Sequence, residues 1–449
     1  MLTIQRDSPE QIYHQLYRQL RAEIETGVRQ PGQRLASTRF LAQQLKLSRN
    51  TVDHAYQDLV AEGYLISQPG AGYRVSHQLP YLTGRPLKDQ IPKISPAFKV
   101  DFTESYDNLR LFPKQAWRAA EQAVMFQGLP HIQPANGDLA YRQQLTHFLA
   151  RLKGLNVSAA QIIIISGFNE AAGIIANLVP ALKTEKLAVQ NPIAPNARTV
   201  WQRLQVPTIP FTPTTEQPVA GGYLLAPTHN FPTGSGLNQA ERQAFTSWAR
   251  RHQRYVIELD TDATLDYSGQ PQPALFNDLA DHGFYYSNYD DTLGAALCMG
   301  FLVIPSHLVA DYQAKYGRLP NRNSQWQQQI LGHLIASGDL ERFMRQLTIV
   351  YRNRRQHLIS KVDDVFGPTL TPMGTTAGTF MPFQLTPAPT TSVTALIAQA
   401  TQAGIGIVNP DRCWLNQLEP FPSIVLSFRQ VDDNQIDSGI DQLYRCWQP

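Results

Sequence analysis

Two stretches of the chain concentrate side chains that could do chemistry. The first is Ser287-Asn-Tyr-Asp-Asp-Thr-Leu-Gly-Ala-Ala-Leu-Cys-Met-Gly-Phe-Leu-Val-Ile-Pro305: a polar loop, a small-residue turn, then the apolar run Cys298–Ile304. Its adjacent carboxylates Asp290 and Asp291, with Glu258 and Asp260 from another strand-like segment, are acceptors that could partner a cation. Tyr285, Tyr286 and Tyr289 could wall a cleft beside them, although aromatics at strand ends also serve simple packing. The second stretch is Ser48-Arg-Asn-Thr51. Arginine can bridge guanine O6 and N7, and asparagine can bridge adenine N6 and N7. Set at a helix start, where unpaired N–H groups favour phosphate, these residues suit a nucleic-acid groove.

The elements that must position the second stretch lie in the first 76 residues. Ser8-Pro-Glu-Gln11 reads as a capping box, with Ser8 as N-cap, Pro9 at the first helical position and Gln11 at the third. Ile12, Leu16, Leu20 and Ile24 follow as one buried stripe, and Gly27 supplies the stop. A turn at Pro31–Leu35 leads to a second, short helix over Ser37–Leu45. Ser48 caps a third helix, Arg49–Val60, that buries Val52, Tyr56, Leu59 and Val60. A hairpin over Tyr64–Val75 turns at Pro69–Gly72. Three short helices closed by a glycine-tipped hairpin spell a winged helix-turn-helix. Arg34 and Arg39 then stand ready for phosphates, and the wing residues Gln68, Gly70, Gly72 and Arg74 can reach an adjacent groove. The pattern alone also fits a module for protein contacts whose arginines are a solvated face.

The totals bound the rest. A chain of 449 residues predicts two or three domains. With 43% hydrophobic and 17% charged residues it is globular, not disordered. A net charge of +3 is too small to argue for nucleic acid without local motifs. Cys298, Cys413 and Cys446 have no metal spacing and read as free thiols in a reducing compartment. No signal peptide and no membrane-length apolar run is apparent, so a cytoplasmic protein is expected, without a membrane partner.

Residues 77–99 carry Pro80, Pro86, Pro92 and Pro96 without periodicity and read as an extended tether. From residue 100 to 449 strands and helices alternate, which predicts an α/β domain with a mostly parallel sheet and a smaller C-terminal α+β part. Strands are expected at Ile162–Ile165, Lys186–Val189, Gly222–Leu225, Tyr255–Glu258, Gly283–Ser287 and Leu297–Ile304. Helices are expected at Glu170–Leu182, Pro195–Leu204, Asn238–His252 and Gln325–Ala336. The C-terminal part should carry strands near Thr379–Gln384 and Ser423–Phe428, while Pro207–Pro218 and Thr386–Thr391 read as surface loops.

The N-terminal stretch resembles the GntR-family DNA-binding domain through Pro31–Ala42, Leu47–Val52, Leu59–Leu65 and the Pro-Gly-Ala-Gly wing. By that resemblance Arg39, Arg49, Thr51, Gly70 and Gly72 fall at DNA-contacting positions, and Ala36 replaces a usual proline. Leu111–Trp117, Ala226–Gly234, Gly269–Leu275 and Gly404–Val408 extend the likeness to aspartate-aminotransferase-like proteins, specifically the MocR subfamily. That fold normally binds pyridoxal phosphate (PLP), which needs an aldimine-forming lysine, a carboxylate at the pyridine nitrogen and donors for the phosphate.

On these landmarks the resemblance implies a degenerate cofactor site. Asp291 stands at the lysine, Cys298 at the phosphate arginine, Leu259 at the ring-nitrogen carboxylate and Thr261 at the ring-hydroxyl tyrosine. Phe168 occupies a usual small or hydroxyl phosphate position, and Ala194 a usual aromatic one, while Asn230 and Asp260 persist. Asp290 and Asp291 add charge against a phosphate dianion; a like-charge pair at about 4 Å costs on the order of 4 kcal/mol at an effective dielectric near 20. The expectation is a regulator without covalently bound PLP and without enzyme activity, binding operator DNA as a homodimer, with a head-to-tail arrangement as one form. Its large domain would serve dimerisation alone or also sense a small-molecule effector. The rival is a PLP-dependent aminotransferase, or a PLP-sensing regulator, with an unrecognised lysine, Lys315 and Lys183 being the candidates.

Overall fold

The computed structural model describes residues 2–6, 8–68, 70–79, 98–103, 110–127, 133–261, 265–269, 272–374, 377–387, 392–415 and 422–447. Most of the expected tether, the wing's Pro69, Asp262 beyond the β8 end, and part of the Thr386–Thr391 loop lie outside them. The chain divides into two units, Met1–Pro96 and Ala97–Pro449.

In the smaller unit α1 (Ile12–Glu25), α2 (Thr38–Leu45) and α3 (Arg49–Ala61) precede β1 (Leu65–Gln68) and β2 (Gly72–Val75). The strands pair antiparallel, with Gln68 opposite Gly72. Ser37 caps α2 by accepting from Phe40 N, and Ser48 caps α3 by accepting from Thr51 N. Leu16, Leu20, Ile24, Val52, Tyr56 and Leu59 form one core with Leu65 and Val75 of the hairpin. The first helix departs from expectation. It starts at Ile12 behind an uncapped Gln11, and Ser8 Oγ instead accepts from Glu10 N at 3.2 Å. Ile12 and Val60 are only half-buried. Gln15 is buried because its amide donates to the carbonyls of Gln5 and Glu10 at 3.0 and 2.8 Å.

The larger unit opens with β3 (Val100–Phe102), α4 (Lys114–Gln127), α5 (Leu139–Lys153), β4 (Ile162–Ile165), α6 (Phe168–Leu178) and α7 (Ala181–Thr184). It continues through β5 (Leu187–Gln190), α8 (Pro195–Arg203), β6 (Thr208–Phe211), β7 (Gly222–Leu225), α9 (Gln239–Arg251) and β8 (Tyr255–Leu259). β9 (Gly283–Asn288), β10 (Gly300–Val303), α10 (Val309–Tyr316), α11 (Gln325–Ala336) and α12 (Asp339–Phe366) follow. The C-terminal part holds β11 (Leu370–Pro372), β12 (Phe380–Leu385), α13 (Val393–Gln402), β13 (Ile405–Ile407), β14 (Ser423–Ser427) and α14 (Asp433–Trp447).

Seven strands form the main sheet in the order β4-β10-β9-β8-β7-β5-β6. β10 is antiparallel to both neighbours and the remaining pairs are parallel. The smaller part adds the antiparallel sheet β11-β12-β14. The α/β class with a mostly parallel sheet is as the sequence predicts. Several local departures have physical causes. Thr208–Phe211, read as a proline-rich loop, is the edge strand β6, where Pro210 leaves no central ladder bond unmade. The helix expected over Glu170–Leu182 breaks at Val179-Pro180. The strand expected from Leu297 begins only at Gly300, because Ala295–Leu297 forms a 3-10 turn and Cys298 takes φ +48°. No described helix is long and apolar enough to cross a membrane.

The main sheet is buried on both faces, and its strands serve two cores by alternation. In β4, Ile162 and Ile164 face the core built with α5, α11 and α12, whereas Ile163 and Ile165 face the one built with α6, α8 and α10. The same period of two runs through β8 and β9, where Glu258 pairs with Tyr285 and Leu259 with Tyr286. Tyr285 belongs to the first core and Tyr286 to the second. This alternation decides which side chains meet in the site.

Candidate functional site

In the smaller unit the residues singled out for DNA are presented outward. Arg34, Arg39, Ser48, Arg49, Asn50, Gln68, Gly70 and Gly72 are exposed, and Thr51 is half-buried. Ser48 is also structural, since its Oγ accepts from Thr51 N at 3.1 Å and lies 2.7 Å from Thr51 Oγ1. Arg49 Nε lies 3.4 Å from Asp53 Oδ2, one turn along α3, which steers its long side chain. Arg34 forms an isolated bridge with Arg74 of β2, and Arg74 Nη1 donates to Gly32 O at 3.0 Å. The loop before α2 is therefore tied to the wing. Gly70 and Gly72 take φ +75° and +83°, so the wing tip needs residues without a Cβ penalty.

In the larger unit a cavity of about 330 Å³ opens at the carboxyl ends of β7, β8 and β9, the side on which open α/β sheets bind ligands. Ser166–Asn169, Ala226, His229–Phe231, Leu259, Thr261, Asn288, Asp290 and Asp291 line it, with Thr379, Phe380 and Arg429 from the smaller part. Phe168 meets Tyr286 edge-on at 5.1 Å between ring centroids. Phe380 packs against His229 and Phe231 at 4.3 and 4.8 Å.

The charged groups of the lining are unequal. Asp291 forms an ion pair with Arg429, both side chains under 10% exposed, and Arg429 Nε and Nη2 also donate to Thr379 Oγ1 at 3.1 and 2.8 Å. Asp290 is half-buried and accepts from Asn288 Nδ2 at 2.8 Å. Burial raises its pKa, and the nearby Arg429 offsets part of that rise. Asn230 is 1% exposed; its Nδ2 donates to Pro192 O at 2.9 Å, and its Oδ1 accepts from no described residue. No lysine is among the described residues of the lining. Lys315 Nζ donates to Asn177 O at 2.5 Å, and Lys183 lies in α7; neither reaches the cavity.

Glu258 and Asp260 do not join Asp290 and Asp291. Alternation along β8 sends them to the opposite side of the sheet from Leu259 and Thr261. There Asp260 Oδ2 lies 2.9 Å from Lys153 Nζ and accepts from Tyr285 Oη at 2.7 Å. The fully buried Glu258 carboxylate accepts from the backbone N–H groups of Leu275 and Phe276 at 3.0 and 3.1 Å. Its pKa is pushed up to about 7, chiefly by burial and next by the Asp260 charge. Tyr285 and Tyr289 are likewise core residues, Tyr289 Oη lying 2.8 Å from Tyr141 Oη, so only Tyr286 of the three tyrosines walls the cavity. Cys298 is exposed and outside the lining. Arg429 and Lys153 went unnoticed in the sequence; a period-two reading of Glu258–Thr261 would have sorted the carboxylates.

Comparison with known proteins gives the following likenesses. Residues 12–75 match the bacterial regulatory proteins of the gntR family, and residues 103–218 match aminotransferase class I and II. The HTH-type pyridoxine biosynthesis transcriptional regulator PdxR of Corynebacterium glutamicum is 28% identical over 81% of this chain and 82% of its own. The probable rhizopine catabolism regulatory protein MocR of Rhizobium meliloti is 23% identical, over 80% and 79%. The chain matches the MocR subfamily. Pyrococcus horikoshii kynurenine aminotransferase superposes on 78% of this chain and 91% of its own, with a TM-score of 0.69 at 18% identity. An archaeal alanine:glyoxylate aminotransferase gives 0.68 at 17%, over 77% and 90%. At those identities the likeness carries the fold alone. The chain is thus a helix-turn-helix transcriptional regulator with an aminotransferase-like domain.

Proposed function

We propose that residues 1–76 bind operator DNA, that 77–99 tether them, and that 100–449 form a dimerising domain whose PLP site has been converted to bind another effector. The observation that carries this reading is the Asp291–Arg429 pair on the wall of a cavity whose described lining has no lysine. The residues present do not fit PLP. A carboxylate replaces the amine, Leu259 offers no charge to a pyridinium, and Phe168 fills the mouth of the helix where a phosphate would need donors. No reaction step is assigned. The protein would act in the cytoplasm, on DNA, with Arg34, Arg39, Arg49, Asn50 and Thr51 contacting the operator as two heads of a homodimer.

The test is an absorbance scan of the purified protein before and after excess PLP, with borohydride fixation, beside a gel shift on its own promoter. A colourless protein that shifts the promoter is the expected result. A borohydride-fixed chromophore on a lysine would restore the aminotransferase or PLP-sensing reading.

A further inference from the structure

The cavity has an imbalance that specifies the chemistry of its occupant. Its described charged residues are Asp290, Asp291 and Arg429. Asp291 and Arg429 neutralise one another, which leaves Asp290 as the carboxylate of the wall outside that ion pair. That carboxylate is held in place by Asn288, whose Nδ2 donates to Oδ2 at 2.8 Å and whose Oδ1 accepts from Asp290 N at 3.3 Å. One donor leaves most of its lone pairs available.

A second acceptor is also short of a donor. The Pro192 carbonyl fixes the Asn230 amide by taking its Nδ2, which leaves Oδ1 buried with no hydrogen bond from a described residue. Such a group costs free energy unless something supplies it. Asp290 follows β9 and Asn230 follows β7, with β8 between them. Both side chains line the same cavity. Phe168, Tyr286 and Phe380 line it with them.

Resting on the cofactor-free reading above, we propose that the effector is a small aromatic monoamine, its ammonium on Asp290, its ring among Phe168, Tyr286 and Phe380, and a far-end donor on Asn230. An anion entering the cavity would meet the carboxylates of Asp290 and Asp291 on the same wall as Arg429. A hard divalent cation needs six or more oxygen ligands, and no metal-holding cluster of His, Cys, Asp and Glu occurs among the described residues. A neutral ligand would bury Asp290 without a counter-charge. The volume, about 330 Å³, lies at the small end of ligand pockets.

The full-length protein would be titrated calorimetrically with tyramine, with its uncharged analogue 2-(4-hydroxyphenyl)ethanol, and with the anion 3-(4-hydroxyphenyl)propionate. Tyramine should bind, and each analogue should bind at least about tenfold more weakly. Asp290→Asn should weaken tyramine about thirtyfold or more, and Asp290→Glu should retain part of the affinity. Absence of tyramine binding, equal affinity for the three probes, or indifference to Asp290→Asn would overturn the proposal. Preference for the anion would overturn it too, and would assign recognition to Arg429. The wild-type series decides if Asp290→Asn does not fold. A borohydride-fixed PLP chromophore in a parallel sample would instead mark failure of the cofactor-free reading, separately from the choice of ligand class.

Discussion

Lys153 Nζ lies 2.9 Å from Asp260 Oδ2 beneath the main sheet, with both side chains 2% exposed. Tyr285 Oη donates to the same oxygen at 2.7 Å. Removing one member of such a pair strands a buried charge, whereas removing both removes the desolvation cost as well. Lys153→Met should therefore destabilise the larger unit by about 3–5 kcal/mol. The double variant Lys153→Met/Asp260→Leu should recover a substantial part. Urea unfolding of both variants measures this; a double variant worse than either single one would contradict it.

The Asp291–Arg429 pair gives a second prediction. Asp291→Lys restores the amine by name only, because the new ammonium meets the buried Arg429 guanidinium while Leu259 and Phe168 remain. Like charges in contact should lower the melting temperature. Excess PLP followed by borohydride should leave no chromophore on the protein. A strong aldimine band in this variant would show that one position, not the whole lining, decides cofactor binding.

Glu258 makes stability depend on pH. Its folded pKa of about 7 stands above the ordinary 4.5, so the folded state holds a proton that the unfolded chain releases. This contribution is fully present below about pH 4.5 and is lost as pH rises through about 7. A shift of that size corresponds to about 3 kcal/mol at most. Glu258→Gln should flatten that segment of the melting-temperature profile. An unchanged slope would assign the dependence to other groups.

Ser48 and Arg49 are neighbours with separable roles. Ser48→Ala removes the cap of α3 and should cost about 1 kcal/mol of stability. Arg49→Ala should leave the melt nearly unchanged, since its contact with Asp53 is exposed. It should cost about 1–3 kcal/mol of operator affinity if it reads a base, relaxing specificity there. Uniform weakening across sequences, with a shallower salt slope, would make it a phosphate contact instead.

The smaller unit was legible because its signals are local. Ser37 and Ser48 cap the helices they precede, and Val52, Tyr56 and Leu59 share one helical face. The main strands were legible as apolar runs bounded by turns, except β6, whose Pro210 masked an edge position. The cavity was legible only in part. Asp291 stands out against the residue pattern of aminotransferase-like proteins, but its partner is at residue 429, beyond any local periodicity. Lys153 and Asp260 are similarly remote in sequence. The carboxylates of Glu258-Leu-Asp-Thr261 were grouped with Asp290 because their proximity was read without the strand's alternation.

That alternation has a consequence for descent. Odd positions of the β8 end, Leu259 and Thr261, meet the cavity, while even positions, Glu258 and Asp260, bind Leu275, Phe276, Lys153 and Tyr285 on the far side. Mutation can therefore rewrite what the cavity selects while the scaffold beneath stays intact. A lineage can abandon one ligand and acquire another through folded intermediates, trading chemistry on one face of a strand without first losing the protein.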